Sequence, residues 1–234
     1  MTAVSSLVDM AASLAPQDVT TRLFLTQSVT IGRGTKRVRR ILSSPMNKRV
    51  KRPCPSSTVP MNPHEFIISF MQARGGDSTV QSSLNVKDFF FEHSDEQVES
   101  YGTLAPAVRS KDMSALRKLH KAGMSMQSSN RFGESLIHMS CRLGCLDIAS
   151  FFIKEAGVSV RVRDDFGRTP LHDACWTSEP NMELIDLILN ECPELLLMAD
   201  KRGHTPFQYT RKEHGALWLA FLRSREDLLC RITG

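Results

Sequence analysis

No stretch of this 234-residue chain approaches the ~18–20 consecutive apolar residues that a bilayer-spanning helix needs, so no membrane span is expected. There are six cysteines (Cys54, Cys141, Cys145, Cys175, Cys192 and Cys230), but no two form a Cys-x-x-Cys pair, the spacing that marks zinc ribbons and redox motifs. Gly32-Arg33-Gly34-Thr35-Lys36 lacks the Gly-x-x-x-x-Gly-Lys-Ser/Thr spacing of a phosphate loop, and no helix pattern follows it. No Ser–His–acid or Cys–His arrangement stands out, and no carboxylates pair in a recognisable catalytic context. These absences point away from an enzyme. No cofactor, metal or small-molecule substrate is expected. The first residues lack Lys and Arg and include Asp9, which makes a poor secretory signal. With no mark of secretion, reduced cysteines in an intracellular setting are the expectation.

Acidic residues are scarce where basic ones are dense. Residues 1–60 hold ten Lys/Arg against two acids, a net +8, whereas residues 61–100 carry −5 and the remainder +2. The pI near 9.0 therefore reflects the first quarter of the chain. That quarter is rich in Ser, Thr and Pro with scattered apolar groups, too few to offset ordering entropy, and it is expected to be disordered. Within it, Lys36, Arg37, Arg39 and Arg40 form one basic cluster and Lys48, Arg49, Lys51 and Arg52 a second, seven residues on. Two such clusters in a flexible segment resemble a bipartite nuclear localisation signal. Ser44 lies in the spacer before Pro45, where a phosphate would add negative charge between the clusters. A solvated tail without a receptor and salt-sensitive contact with DNA or RNA are the alternatives. No aromatics interleave the clusters to stack bases. Nucleus or cytoplasm is the expected location, with organelle targeting a minor alternative.

Asn62-Pro63-His64-Glu65 predicts a helix start: Asn62 caps, Pro63 suits the first position and Glu65 completes a capping box. Apolar residues follow to Met71, and Gly75-Gly76 ends a short helix within 61–76 that either packs on the folded part or docks a partner. Residues 77–100 predict an acidic linker, with Phe89-Phe90-Phe91 as an aromatic anchor against the first repeat.

From Asn130 the sequence becomes periodic. Asn130-Arg-Phe-Gly133, Asp164-Asp-Phe-Gly167 and Asp200-Lys-Arg-Gly203 are each followed by a helix start, and the glycines lie 34 and 36 residues apart. Asp or Asn before Gly predicts a tight turn, with Gly supplying positive φ. Thr-Pro then opens a helix. The small residues Ser140-Cys141 and Ala174-Cys175 come one turn later, and a second apolar helix follows in each of these two units. Thr169-Pro170-Leu171-His172 matches the tetrad of the ankyrin repeat, and the chain resembles that family over about residues 104–222. Ser135-Leu136-Ile137-His138 lacks the Pro, and Thr205-Pro206-Phe207-Gln208 lacks the His. A degenerate earlier unit is expected over residues 111–123. Gln208, Trp218 and Phe221 suggest that the last unit is a modified cap.

The resemblance implies an all-α solenoid of about four stacked helix-turn-helix units over 101–225, with β-turn tips and a C-terminal tail at 226–234. It also implies a binding scaffold whose partner is another protein. His138, Cys141 and Cys145 share one helix at metal-like spacing, but their register makes them turn-ordering and close-packing residues. Family partners contact the turn tips, here Arg131, Phe132, Asp165, Phe166, Lys201 and Arg202, and the exposed face of the first helices, here Met139, Arg142, Asp173, Trp176, Tyr209 and Lys212. The alternative function is a nucleic-acid-associated regulator acting through the basic tail.

Overall fold

The structure is a computed structural model that describes residues 61–233, so the segment 1–60 and both basic clusters lie outside the described residues. It opens with α1 (Pro63–Ala73), where the Asn62 side chain accepts from the Glu65 amide and Glu65 reaches back to the Asn62 amide. Residues 81–82 form β1, which pairs in parallel with β2 (Met198–Ala199). A capping box of Ser94 and Gln97 starts α2 (Asp95–Arg109), so residues 95–100, expected as linker, are the first turns of a helix. Helix α3 (Met113–Lys121) returns from it and completes the degenerate first unit.

Three turns repeat the same wiring. The Oδ1 atom of Asn130, Asp164 and Asp200 accepts from the amides two and four residues on, and the turn glycine donates to the carbonyl of that same residue. Gly167 needs its missing Cβ twice over. Its φ is +74°, and a side-chain carbon there would run into Ser83 and Leu84. The turns also join each other: the Asp165 amide donates to the Phe132 carbonyl and the Lys201 amide to that of Phe166.

Each turn feeds a short first helix. These are α4 (Leu136–Arg142), α6 (Pro170–Cys175) and, in the last unit, a 3-10 turn at Pro206–Tyr209. Helices α4 and α6 pack together where Ser140, Cys141, Ala174 and Cys175 are all buried, the small side chains permitting close approach. The second helices are α5 (Leu146–Ser150), which runs on as a π-turn through Phe151–Glu155, and α7 (Met182–Glu191). The wider π-turn shifts the register, and Phe151, Phe152 and Ile153 are all buried. Helix α8 (Gly215–Ser224) follows the third turn. Residues 226–233, expected as a tail, form α9 (Glu226–Thr233), with Leu228 and Leu229 in the core.

The N-terminal helix docks at the far end of the stack. Helix α1 packs on α8, α9 and the 3-10 turn of the third unit, burying Ile67 and Met71, and Arg74 pairs with Glu226. Burying each such side chain is worth about 1.5–3 kcal/mol. The chain then runs back along the turns. Ser83 donates to the Gly167 carbonyl at 2.6 Å, and the Phe91 amide donates to the Arg161 carbonyl at 2.7 Å. Phe89 and Phe90 sit beneath the Arg161 and Arg163 guanidiniums, so the cluster expected against the first repeat lies instead on the segment entering the second turn.

Candidate functional site

The tetrad histidines set the rigidity of the exposed face. His172 Nδ1 accepts from the Thr169 amide at 3.0 Å and lies 2.9 Å from the Thr169 hydroxyl, while Nε2 lies 3.0 Å from the His204 carbonyl. An amide can only donate and a carbonyl only accept, so the ring carries its proton on Nε2. His138 repeats the pattern with Ser135 and the Arg168 carbonyl. Each histidine thus caps its own helix and staples it to the following turn. Burial holds His172 down at about 4, although the His204 carbonyl and the Asp200 and Asp173 carboxylates favour the proton.

Both His138 nitrogens are engaged in this way, and Cys141 is buried with its thiol pushed well above its usual range by desolvation. That helix is committed to packing. In the third unit Gln208 takes the histidine's place: the Thr205 amide donates to its side-chain oxygen at 2.8 Å, and the Thr205 hydroxyl meets His64 of α1 at 2.9 Å.

The tip residues Arg131, Phe132, Asp165, Phe166, Lys201 and Arg202 are exposed. Phe132 and Phe166 are 52% and 56% exposed, too much for core residues. Arg131 lies over Phe132 and Arg168 over Phe166, which orients the rings. Among the helix positions, Arg142, Trp176 and Lys212 are exposed, Tyr209 is half-buried, and Met139 and Asp173 are buried. Arg142 explains the burial of Asp173: its guanidinium bridges Asp173 at 2.9 Å and Glu134 at 2.7 Å, tying two units together. Burial opposes the charge on Arg142, but these two carboxylates outweigh it and keep it firmly protonated.

Trp176 and Tyr209 meet edge to face, with centroids 5.8 Å apart. The Tyr209 hydroxyl donates to Asp200 Oδ2 at 2.5 Å, which fixes the ring. Burial, then this bond, pushes the phenol up to about 12. Around the pair opens a groove of about 570 Å³ whose rim includes Arg202, His204, Arg211 and Lys212. The repeat register does not single out Arg168, which lies over the Phe166 ring, or Arg211, which lines the groove. Arg168 follows its turn Asp by four residues and pairs with it at 2.5 Å. Arg211 sits in the irregular stretch between the 3-10 turn and α8, where no periodic signal places it. A second groove, of about 610 Å³, lies between Lys111 and the loop Thr177–Asn181, where the two extra residues of that unit fall. Among the described residues no cluster of His, Cys, Asp or Glu could hold a metal, and no helix is long and apolar enough to cross a membrane.

Residues 104–193 match the family described as ankyrin repeats, in 3 copies. The third turn and its helix, beyond that match, keep the same hydrogen-bond wiring. Among curated proteins, the chain is 28% identical over 128 residues to SMC5-SMC6 complex localization factor protein 1 of Homo sapiens, a stretch that is 47% of this chain and 12% of that protein. The Mus musculus protein of the same name is 29% identical over 124 residues, covering 46% of this chain and 12% of its own length. The Bos taurus protein of that name is 31% identical over 83 residues, covering 36% and 8%.

Proposed function

With residues 104–193 a stack of ankyrin repeats, we propose that this chain is a non-enzymatic adaptor that binds another protein through its turn tips and the exposed face of its first helices. The observation that carries the reading is the row of Phe132, Phe166 and Trp176, each more than half exposed although large and apolar. Aromatic and Arg side chains held rigid on one face are the residue types that dominate protein interfaces. Here the rigidity comes from the histidine staples and the turn-to-turn bonds.

The relatives are named as localization factors of the SMC5-SMC6 complex, and the reading extends to a matching role, with the stack holding a protein of that complex or one that recruits it. The basic clusters Lys36–Arg40 and Lys48–Arg52 then act as the signal that brings the adaptor into the nucleus. Affinity capture of the full chain against a Phe166→Ala/Trp176→Ala variant tests the surface. Both side chains are exposed, so the variant keeps its fold. Loss of a defined partner set, including SMC5-SMC6 subunits, is expected. An unchanged set sinks the surface assignment.

A further inference from the structure

The exposed face is polarised along the stack. Near the first and second turns two cations are offset by carboxylates, Arg142 between Glu134 and Asp173 and Arg168 on Asp164, while Arg131 lies over the Phe132 ring with no carboxylate paired to it. At the third unit that balance fails. Neither Arg202 nor Lys212 has an ion-pair partner among the described residues, and Arg211 stands 3.8 Å from Glu213. The remaining carboxylate there, Asp200, is buried and spent: Oδ1 accepts from the amides of Arg202 and His204, and Oδ2 accepts from Tyr209. The groove therefore turns cations outward around an aromatic wall. Trp176, 57% exposed, forms part of that wall, and its neighbour Tyr209 is locked in place.

We infer that this groove takes a segment of a partner protein that is acidic and carries a bulky apolar side chain. The inference rests on the reading of the stack as a protein-binding surface. The apolar side chain lies on the Trp176 face, where an aromatic wall gives contact area at low entropic cost. Flanking Asp or Glu carboxylates meet the Arg202 and Lys212 side chains, and the net positive field speeds encounter. A nucleic-acid strand fits less well. Its evenly spaced phosphates would run past the exposed carboxylates of Asp165 and Glu213, whereas a peptide places its charges singly.

The test uses the full chain and a fluorescein-labelled peptide of Glu and Asp around a central Leu-Phe pair. Binding is read by anisotropy and by tryptophan emission. The chain has two Trp, and Trp218 is buried, so a change in emission reports Trp176. Saturable binding that weakens with added salt is expected. Arg202→Glu/Lys212→Glu should weaken it roughly tenfold or more, Trp176→Ala should do the same, and Lys121→Ala, exposed on α3 away from the binding face, should leave it unchanged. A peptide with Lys in place of every acid should prefer the doubly reversed variant. Equal binding of the acidic peptide to native and reversed chains overturns the inference. So does equal binding by the native chain of the Lys peptide or of an oligonucleotide of matched charge. If the peptide fails while Phe166→Ala/Trp176→Ala still strips the captured partners, the acidic-peptide inference falls and the adaptor reading stands. If peptide binding follows the predicted pattern but the captured set ignores that variant, the adaptor reading is the one that fails.

Discussion

Replacing His172 with Gln should flatten the acid sensitivity of folding. His172 is buried, with Nδ1 facing a donor amide and Nε2–H facing a carbonyl. A proton on Nδ1 would set two donors against each other, so the native state keeps the ring neutral down to about 4, against an ordinary value of 6.5. Between those values the unfolded chain takes up the proton first. The contribution is therefore complete above pH 6.5, declines as pH falls, and is gone once pH drops through the folded value. At about 1.4 kcal/mol per unit, the whole displacement amounts to about 3 kcal/mol. About 2 kcal/mol of that is lost between pH 6.5 and 5. Gln already performs the capping half of the task in this protein, since Gln208 accepts from the Thr205 amide. His172→Gln should thus fold, at a cost of about 1 kcal/mol for the lost bond to the His204 carbonyl. Urea melts of both proteins at pH 7.5 and pH 5 give the slopes directly. His93, half-buried and also held down at about 4 by desolvation, contributes equally to both and cancels in the difference. Parallel slopes for native and variant chains would refute the claim that the stack holds this ring neutral.

Two further outcomes follow from the packing and the sequence. Ile67→Ala should destabilise the protein by about 2–4 kcal/mol, because the removed atoms leave a cavity between α1 and the last unit; a urea midpoint unchanged from native would mean that α1 does not dock there. A reporter fused to residues 30–55 should accumulate in nuclei, and alanine at Lys48, Arg49, Lys51 and Arg52 should abolish this in live-cell imaging. Import that survives loss of the second cluster counts against a two-cluster signal.

What could be read in advance was local. Asn130, Asp164 and Asp200 each sit three residues before a Gly, and that spacing alone specifies the turn. The Asn62–Glu65 capping box is equally local, and it announces α1. Where α1 goes is a different matter, because His64 and Thr205 are 141 positions apart and nothing near either one names the other. The same holds for Ser83 on the Gly167 carbonyl, 84 positions away. Register placed Met139 and Asp173 on the exposed face along with Arg142. In three dimensions Arg142 folds over Asp173, and a salt bridge between units takes the acid out of the surface. The π-turn at Phe151–Glu155 has no sequence signature of its own. Three consecutive apolar residues, Phe151, Phe152 and Ile153, are buried within it.

The docking of α1 matters for the binding face as well as for stability. In the second unit, the histidine of the tetrad reaches forward to the next turn. The third unit has no next turn, its histidine is Gln208, and the helix packed on it comes from before the stack rather than after it. Asn62 and Pro63 open α1 as Thr169 and Pro170 open α6, and α1 packs on the 3-10 turn of the third unit as α6 packs on α4. His64 from that helix holds the Thr205 hydroxyl, and Thr205 caps the 3-10 turn that ends at Tyr209. Tyr209 in turn fixes Asp200, and Asp200 shapes the tip that presents Arg202. Hydrogen bonds joined through the Thr205–Tyr209 backbone therefore lead from α1 to the rim of the aromatic groove. Loosening α1 should free Tyr209 before it disturbs Phe132 at the other end, so the end of the stack that carries the uncompensated cations is the end whose order depends on a helix supplied from outside the repeats.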